Sequence, residues 1–112
     1  MGKTMLTVVR KRVGEKAEIV EVEHTLEALQ RQVDGYIERL SIGECDILLN
    51  EEGKLVGLQP NVEIRLEGGR LDCLCGTLLV VAVRGAEWDS VPESLRAGIM
   101  AWLDERAITR QK

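Results

Sequence analysis

Apolar positions recur at helical spacing along residues 25–40, TLEALQRQVDGYIERL. At about 100° per residue, six apolar or aromatic side chains fall on one stripe. They are Leu26, Leu29, Val33, Tyr36, Ile37 and Leu40. Thr25 has the hydroxyl of an N-cap, and Glu27 places a negative charge in the first turn, where the helix dipole favours it. The pattern predicts a helix here, followed by Gly43 in a left-handed conformation.

Shorter runs on either side have the alternation typical of strands. Residues 5–12 and 17–24 flank a turn that contains Gly14. In the second run Val20 and Val22 share one face, and charged residues occupy the other. This pattern predicts a first β-hairpin with one face toward the core.

A second hairpin is predicted around residues 50–54, NEEGK. Asn favours the first position of a type I turn and Gly favours the left-handed position after it, so residues 46–49 and 55–58 would pair. Pro60 lacks an amide hydrogen and ends this pattern before a short strand at residues 62–66.

Residues 71–83, LDCLCGTLLVVAV, form the most hydrophobic run in the chain. They predict one central strand, with a bulge or a close backbone approach at Gly76. Residues 85–89 are predicted as a linker. Residues 90–93, SVPE, have the form of a capping box before a second amphipathic helix. The apolar stripe of that helix is Val91, Leu95, Ile99, Trp102 and Leu103.

Together these elements predict an α+β fold, with a single domain over residues 1–112. We expect an antiparallel or mixed β-sheet with two helices packed on one face. Val33 of the first helix and Leu79 of the central strand should then be buried in the core.

The charge and the apolar content narrow the classes of function. A net charge of −4 at pH 7 disfavours nucleic acid as a partner, because phosphate binding needs clustered Lys and Arg. No apolar run approaches the roughly 20 residues that cross a bilayer, and there is no signal-peptide pattern, so we predict a cytoplasmic protein without membrane association. Three Cys without a secretory signal indicate reduced thiols.

Metal ligands and catalytic groups are few. Cys73 and Cys75 stand two residues apart, and with Cys45 and His24 they could form a zinc site. We favour the interpretation that the thiols are small apolar residues of the core, since residues two apart share a face of a strand. With one His and no nucleophile motif, the sequence predicts no catalytic residue, no metal and no cofactor.

Polar side chains cluster at both ends of the strand predicted at residues 55–58. Side-chain amides both donate and accept hydrogen bonds, and loops held by strands are common binding positions. The candidate binding residues are Tyr36, Asn50, Glu51, Glu52, Lys54, Gln59 and Asn61. If Pro60 turns the chain back, Gln59 and Asn61 would line a small polar pocket beside Tyr36. The alternative is that these residues only form turns.

The motifs TLEALQRQVDGYIERL, NEEGKLVGLQPN and CGTLLVV occur in this order. In this combination the chain resembles the family called domain of unknown function 3846, over roughly residues 17–84. The resemblance implies a setting in bacterial, phage, plasmid and conjugative-element genomes. The family has no established activity, so the resemblance implies no catalytic residue.

Two functions remain open. The first is a non-catalytic binding or interaction protein, an accessory factor of a mobile element that binds a protein or a small polar ligand through residues 50–61. The alternative is a small enzyme or ligand-binding protein for a polar substrate, with Glu51 or Glu52 as acid/base. A pocket containing Glu52 and Asn61 would favour a ligand, whereas a flat strip would favour a protein partner.

The first hairpin also suggests a homodimer. Its arms carry Lys11 and Arg12 on one strand and Glu21 and Glu23 on the other. At an open sheet edge, a basic arm could meet an acidic arm across a two-fold axis.

Overall fold

The computed structural model describes residues 4–108. Eight strands, two α-helices and a short 3-10 helix occur within this range. In chain order they are β1 (Met5–Lys11), β2 (Glu18–Glu23), α1 (Leu26–Val33), β3 (Ile37–Ile42), β4 (Cys45–Asn50), β5 (Pro60–Arg65), the 3-10 helix (Glu67–Gly69), β6 (Leu71–Cys75), β7 (Leu78–Arg84), β8 (Glu87–Asp89) and α2 (Glu93–Glu105).

The main sheet is antiparallel, with strand order β2-β1-β7-β4-β3. β8 pairs with the far end of β7, and β5 and β6 form a separate two-stranded sheet. β7 lies in the middle, and Leu78, Leu79, Val80 and Val81 are all fully buried. A strand covered on both faces needs apolar residues at successive positions, which explains the unbroken apolar run.

Different elements cover the two faces of this sheet. On one face, Leu29 of α1 packs in a cluster with Leu79 of β7. On the other face, Leu103 of α2 and the β5–β6 hairpin pack in a cluster with Leu78. The α+β class and the antiparallel sheet are confirmed. The prediction that both helices lie on one face is wrong, because neighbouring residues of β7 point to opposite faces and contact different helices.

α1 is shorter than the sequence pattern predicted. It begins after Thr25, whose Oγ1 accepts a hydrogen bond from the N–H of Ala28 at 3.1 Å, so the predicted N-cap is confirmed. It ends at Val33, because Asp34 adopts a left-handed conformation with φ of 62°. The predicted continuation through residues 36–40 is wrong, since Tyr36 is outside the helix and residues 37–40 lie in β3.

Gly43 has the predicted positive φ, at 66°, but in a different element. It lies in the two-residue turn between β3 and β4 rather than after a helix. Both a helix C-terminus and a two-residue hairpin turn favour a left-handed residue. The predicted conformation of Gly43 is therefore confirmed, although the prediction that it ends a helix is wrong.

The run at residues 71–83 divides into β6 and β7 at Gly76, where φ is 80°. A Cβ at Gly76 would stand 2.7 Å from Cδ1 of Leu58, so the close approach predicted there is confirmed. A single central strand over the whole run is wrong, because the chain leaves one sheet at Gly76 and enters the other. Residues 55–58 are not a strand either, and the second hairpin instead joins β3 to β4.

The segment before α2 also differs from its prediction. Residues 87–89 form β8 rather than a linker. Ser90 does not cap α2: its Oγ accepts a hydrogen bond from the N–H of Thr7 at 2.8 Å. Pro92 occupies the N-cap position without a side-chain bond, so the capping box is wrong.

Other predictions are confirmed. β1 and β2 form the first hairpin, and Val33 and Leu79 are both buried, with 1% and 0% of their surface exposed. Among residues 4–108, neither helix is long and apolar enough to cross a membrane.

Candidate functional site

Asn50 is the last residue of β4, and its side chain holds the end of α1. Nδ2 donates to the carbonyl oxygens of Val33 and Asp34, both at 3.0 Å, and Oδ1 accepts from the N–H of Glu52 at 2.7 Å. The last carbonyls of a helix have no partner within the helix, so these bonds stabilise the point where α1 stops. The amide of Asn50 is therefore committed to internal bonds.

Asn61 is buried, with 1% of its surface exposed. Its Nδ2 donates to the carbonyl oxygens of Lys11 at 2.8 Å and Gly76 at 2.7 Å. Its Oδ1 accepts from Nζ of Lys11 at 3.2 Å. One amide thus ties β5 to the end of β1 and to the break between β6 and β7.

Lys11 is buried as deeply as its partner, with 1% exposed. Besides Asn61, its ammonium donates to the carbonyl oxygens of Arg12 and Glu15, which matches three donors with three acceptors. Burial lowers the pKa of Lys11, and the charges of Asp104 and Glu15 act in the opposite direction. The sequence interpretation missed this role, although Lys11 stands two residues after the buried Val9 and so on the same face of β1.

Residues 51–58 form a loop of turns between these two amides. The N–H of Val56 donates to the carbonyl of Glu52 at 2.9 Å, and the N–H of Leu58 donates to that of Gly53 at 2.9 Å. Leu58 also packs against Gly76. The loop is therefore held at its base by its own backbone.

The tip of this loop is apolar and exposed. Leu55 has 85% of its surface exposed and Val56 has 60%. Sequence reasoning assigned both residues to a strand and so did not treat them as binding residues. The sequence feature that could have indicated an exposed tip is the pair of adjacent apolar residues, Leu55 and Val56, between Gly53 and Gly57.

An open pocket of about 170 Å³ lies between β3, the loop and β6. We call it the acidic pocket, because its lining includes four acidic residues, Glu38, Glu51, Glu52 and Asp72, and one basic residue, Lys54. Nζ of Lys54 lies 2.6 Å from Oδ1 of Asp72. This hydrogen bond raises the pKa of Lys54 and lowers the pKa of Asp72. The pair is exposed and contributes little to stability.

Tyr36 and Gln59 do not join that pocket. Tyr36 is exposed on the α1 side of the sheet, beside Arg39 and Trp88, where only Glu51 is shared with the acidic pocket. Gln59 lines a separate cavity beside Lys11. The predicted pocket of Gln59 and Asn61 beside Tyr36 is therefore wrong. Of the candidate residues, the fold brings together Asn50, Glu51, Glu52 and Lys54.

The three thiols are free, with Cys45 and Cys75 buried and Cys73 half-buried. Burial raises the pKa of Cys45 and of Cys73, which disfavours the thiolate that a metal requires. Within the part of the chain that the structure describes, no three His, Cys, Asp or Glu residues are grouped to hold a metal.

The edge expected to form a dimer is arranged differently. β1 lies inside the sheet between β2 and β7, so Lys11 and Arg12 are not on an open edge. Arg12 pairs with Glu15 at 3.0 Å and Glu18 at 3.3 Å within its own hairpin. The basic arm therefore cannot meet the acidic arm of a second copy by strand pairing.

Comparison with known proteins identifies a family. A family model described as Domain of unknown function (DUF3846) matches residues 5–104. No curated protein and no solved structure matches the chain. The matched range contains all eight strands and the resemblance carried by residues 25–40, 50–61 and 75–81. The chain therefore belongs to the DUF3846 family.

Proposed function

We propose that this protein is a non-catalytic binding protein that recognises a partner protein through the loop of residues 51–58. The observation that carries the proposal is the exposure of Leu55 and Val56 at the tip. Exposed adjacent apolar side chains are typical of binding surfaces when a rigid base presents them, and Asn50 and Asn61 hold this base.

The shape of the surface favours a protein over a small polar ligand. Small-molecule sites usually enclose about 300–1,000 Å³. The pocket at Glu52 has a volume of only about 170 Å³, and Asn61 does not line it. A partner that covers the tip and the rim of this pocket suits the surface better.

The enzyme alternative has less support. A carboxylate that acts as an acid or base near pH 7 needs an environment that disfavours its charge. Glu51 and Glu52 are both exposed, so water can solvate the charged form of either carboxylate. No observation at the loop favours catalysis.

The cellular setting is part of the same proposal. Three free thiols suit a reducing compartment, which supports a cytoplasmic location. The acidic net charge supports a protein partner over nucleic acid. With the family resemblance, this supports an accessory factor of a phage, plasmid or conjugative element. A homodimer lacks support from the first hairpin.

The test is affinity capture from the cells that encode the protein. The unaltered protein is compared with the double variant Leu55→Ser/Val56→Ser and with Leu26→Ser, a matched control. Leu26 is 56% exposed on α1, away from the loop tip. We expect a stoichiometric partner with the unaltered protein and the control, and its loss with the double variant, because a few central apolar residues carry most binding energy. Equal capture by all three proteins would contradict the proposal.

A further inference from the structure

β3 is the last strand of the main sheet, and within residues 4–108 no strand pairs with its outer side. The orientation of its backbone follows from its pairing with β4. The N–H of Glu51 donates to the carbonyl of Tyr36 at 2.9 Å, directly beyond the pair Ile37 and Asn50. In an antiparallel ladder hydrogen-bonded and non-bonded pairs alternate. Glu38, Leu40 and Ile42 therefore bond to β4.

The N–H and C=O groups of Ile37, Arg39 and Ser41 point outward, by the same alternation. This row can pair with another extended chain. The two-residue turn at Gly43 agrees with this assignment, because such a turn is closed by the bonded pair Ile42 and Cys45.

Two sites of different chemistry flank this edge on the face of the sheet that α2 covers. At one end Glu38 lines the acidic pocket, together with three more acidic residues and one lysine. At the other end Ile42 borders a groove of about 440 Å³, formed with Leu95, Ile99 and Trp102 of α2. We call this the apolar groove. Glu38 and Ile42 are four residues apart on the same face, which is about 13 Å along a strand.

We propose that the open edge of β3 binds an extended segment of a partner protein as an added antiparallel strand, with an apolar side chain in the apolar groove and a basic side chain four residues later at the acidic pocket. Main-chain hydrogen bonds supply affinity in this mode of binding, and pockets for alternate side chains supply specificity. The backbone edge that would form the pairing lies on β3 and not on the loop of residues 51–58, which shares only the acidic pocket with it. The inference therefore goes beyond the function proposed above.

A second copy of the chain fits this edge poorly. Two-fold pairing centred on Arg39 or on Glu38 places that charged residue opposite itself, which is unfavourable. Pairing centred on Leu40 places Ile42 of the copy at the acidic pocket and Glu38 of the copy at the apolar groove. Each of these registers therefore places like charges opposite each other or a side chain of the wrong polarity at a site. A segment with the order apolar-x-x-x-basic instead matches the apolar groove at Ile42 and the acidic pocket at Glu38.

The backbone pairing is tested with Ser41→Pro and its matched control Ser41→Ala. Both lose the hydrogen bond from Ser41 Oγ to Asp46 Oδ1, which is 3.1 Å long. Only Pro also removes the outward N–H, and Pro is tolerated on an edge strand where that group faces solvent. The probe is a fluorescein-labelled peptide with the core Leu-Thr-Val-Ser-Lys, measured by fluorescence anisotropy. We expect Ser41→Pro to weaken binding at least about tenfold and Ser41→Ala to change it less than about twofold.

The chemistry of the pocket is tested with a second peptide, Leu-Thr-Val-Ser-Glu, which differs only in its last charge. The unaltered protein should bind the Lys peptide roughly three- to tenfold more tightly. Glu38→Lys changes an exposed side chain and should reduce that preference at least about threefold. This readout stays available if Ser41→Pro fails to fold.

Four results would overturn the proposal. They are no binding of the Lys peptide at millimolar concentration, equal binding of the two peptides, equal binding by Ser41→Pro and Ser41→Ala, and a dimer of the protein that Ser41→Pro dissociates. The single variant Val56→Ser changes a tip residue that does not line the acidic pocket, so it should still bind the Lys peptide, and this inference and the proposed loop function can fail separately.

Discussion

Two regions within residues 50–61 show opposite relations between polarity and burial. At the ends, the amides of Asn50 and Asn61 are buried, and their polar atoms bond to the protein itself. In the middle, the apolar side chains of Leu55 and Val56 face solvent. We refer to the ends as the anchors and to the middle as the tip.

The difference shows which atoms hold the loop and which are free to bind. Polar side chains at the anchors stabilise the local fold, because a buried amide with complete hydrogen bonds fixes several backbone segments at once. The exposed apolar side chains at the tip do not stabilise the fold in a comparable way. A fixed base lowers the ordering cost of binding, so the anchors support whatever the tip contacts.

The largest expected effect is at the deeper anchor. Asn61→Ala removes two donors and one acceptor from a buried site, so the carbonyls of Lys11 and Gly76 and the ammonium of Lys11 each lose one hydrogen bond. We expect the free energy of unfolding to fall by about 3 kcal/mol or more, as measured by urea denaturation.

The control for this variant is Gln59→Ala, which removes an exposed amide two residues away. It should change stability by less than about 0.5 kcal/mol. A loss below about 1 kcal/mol for Asn61→Ala would contradict the anchor role, since water would then replace the amide.

The second anchor should be weaker. Asn50 is 8% exposed, so water can reach part of the site. We expect Asn50→Ala to lower the free energy of unfolding by about 1–2 kcal/mol and to increase amide exchange at the end of α1.

Asn50→Asp separates the bonds of this anchor. It keeps the acceptor for the N–H of Glu52 but loses both donors and places a negative charge at a helix C-terminus. Asn50→Asp should therefore lower the free energy of unfolding at least as much as Asn50→Ala does. Recovery of wild-type stability by Asp would show that the bond to Glu52 is the important one.

Local signals predicted part of this structure correctly. The Thr25 cap, the first hairpin and the close approach at Gly76 each depend on residues near in sequence. Turn and cap chemistry acts over a few residues, so one sequence is sufficient to read it.

The wrong predictions concern features that depend on contacts between residues distant in the sequence. Leu40 fits helical spacing with Ile37 and strand spacing with Ile42. The left-handed end of α1 at Asp34 is stabilised by Asn50, 16 residues later, which bonds to the carbonyls of Val33 and Asp34. Leu55 and Val56 have the composition of a strand, and only the tertiary structure shows that nothing covers them. Polar residues at the anchors were predicted to bind a partner because burial cannot be read from residue type alone.

The buried ammonium at the deeper anchor predicts a dependence of stability on pH. Burial lowers the pKa of Lys11 below its ordinary value of 10.5, so between the two values the unfolded chain binds more protons than the folded protein. The contribution of Lys11 to the free energy of unfolding should therefore rise with pH between its lowered pKa in the folded protein and 10.5.

Comparison with Lys11→Met isolates this effect. Other groups, including Lys54 with its raised pKa, titrate in both proteins and cancel in the difference. The free energy of unfolding of the unaltered protein, relative to Lys11→Met, should increase from pH 7 toward pH 10.5 in urea denaturation. A constant or falling difference would show that Lys11 keeps an ordinary or raised pKa in the folded protein.

The smallest expected effect is at the tip. Leu55→Ser/Val56→Ser removes apolar surface that is already in water, so the free energy of unfolding should change by less than about 0.5 kcal/mol. Leu58→Ser is the matched control from the same loop, because Leu58 is half-buried against Gly76 and should lose about 1–2 kcal/mol. If the double variant is destabilised as much as Leu58→Ser, the tip packs inward in solution and the contrast with the anchors disappears. If it is not, and partner capture is lost, the two apolar side chains at the tip serve binding and have no role in folding.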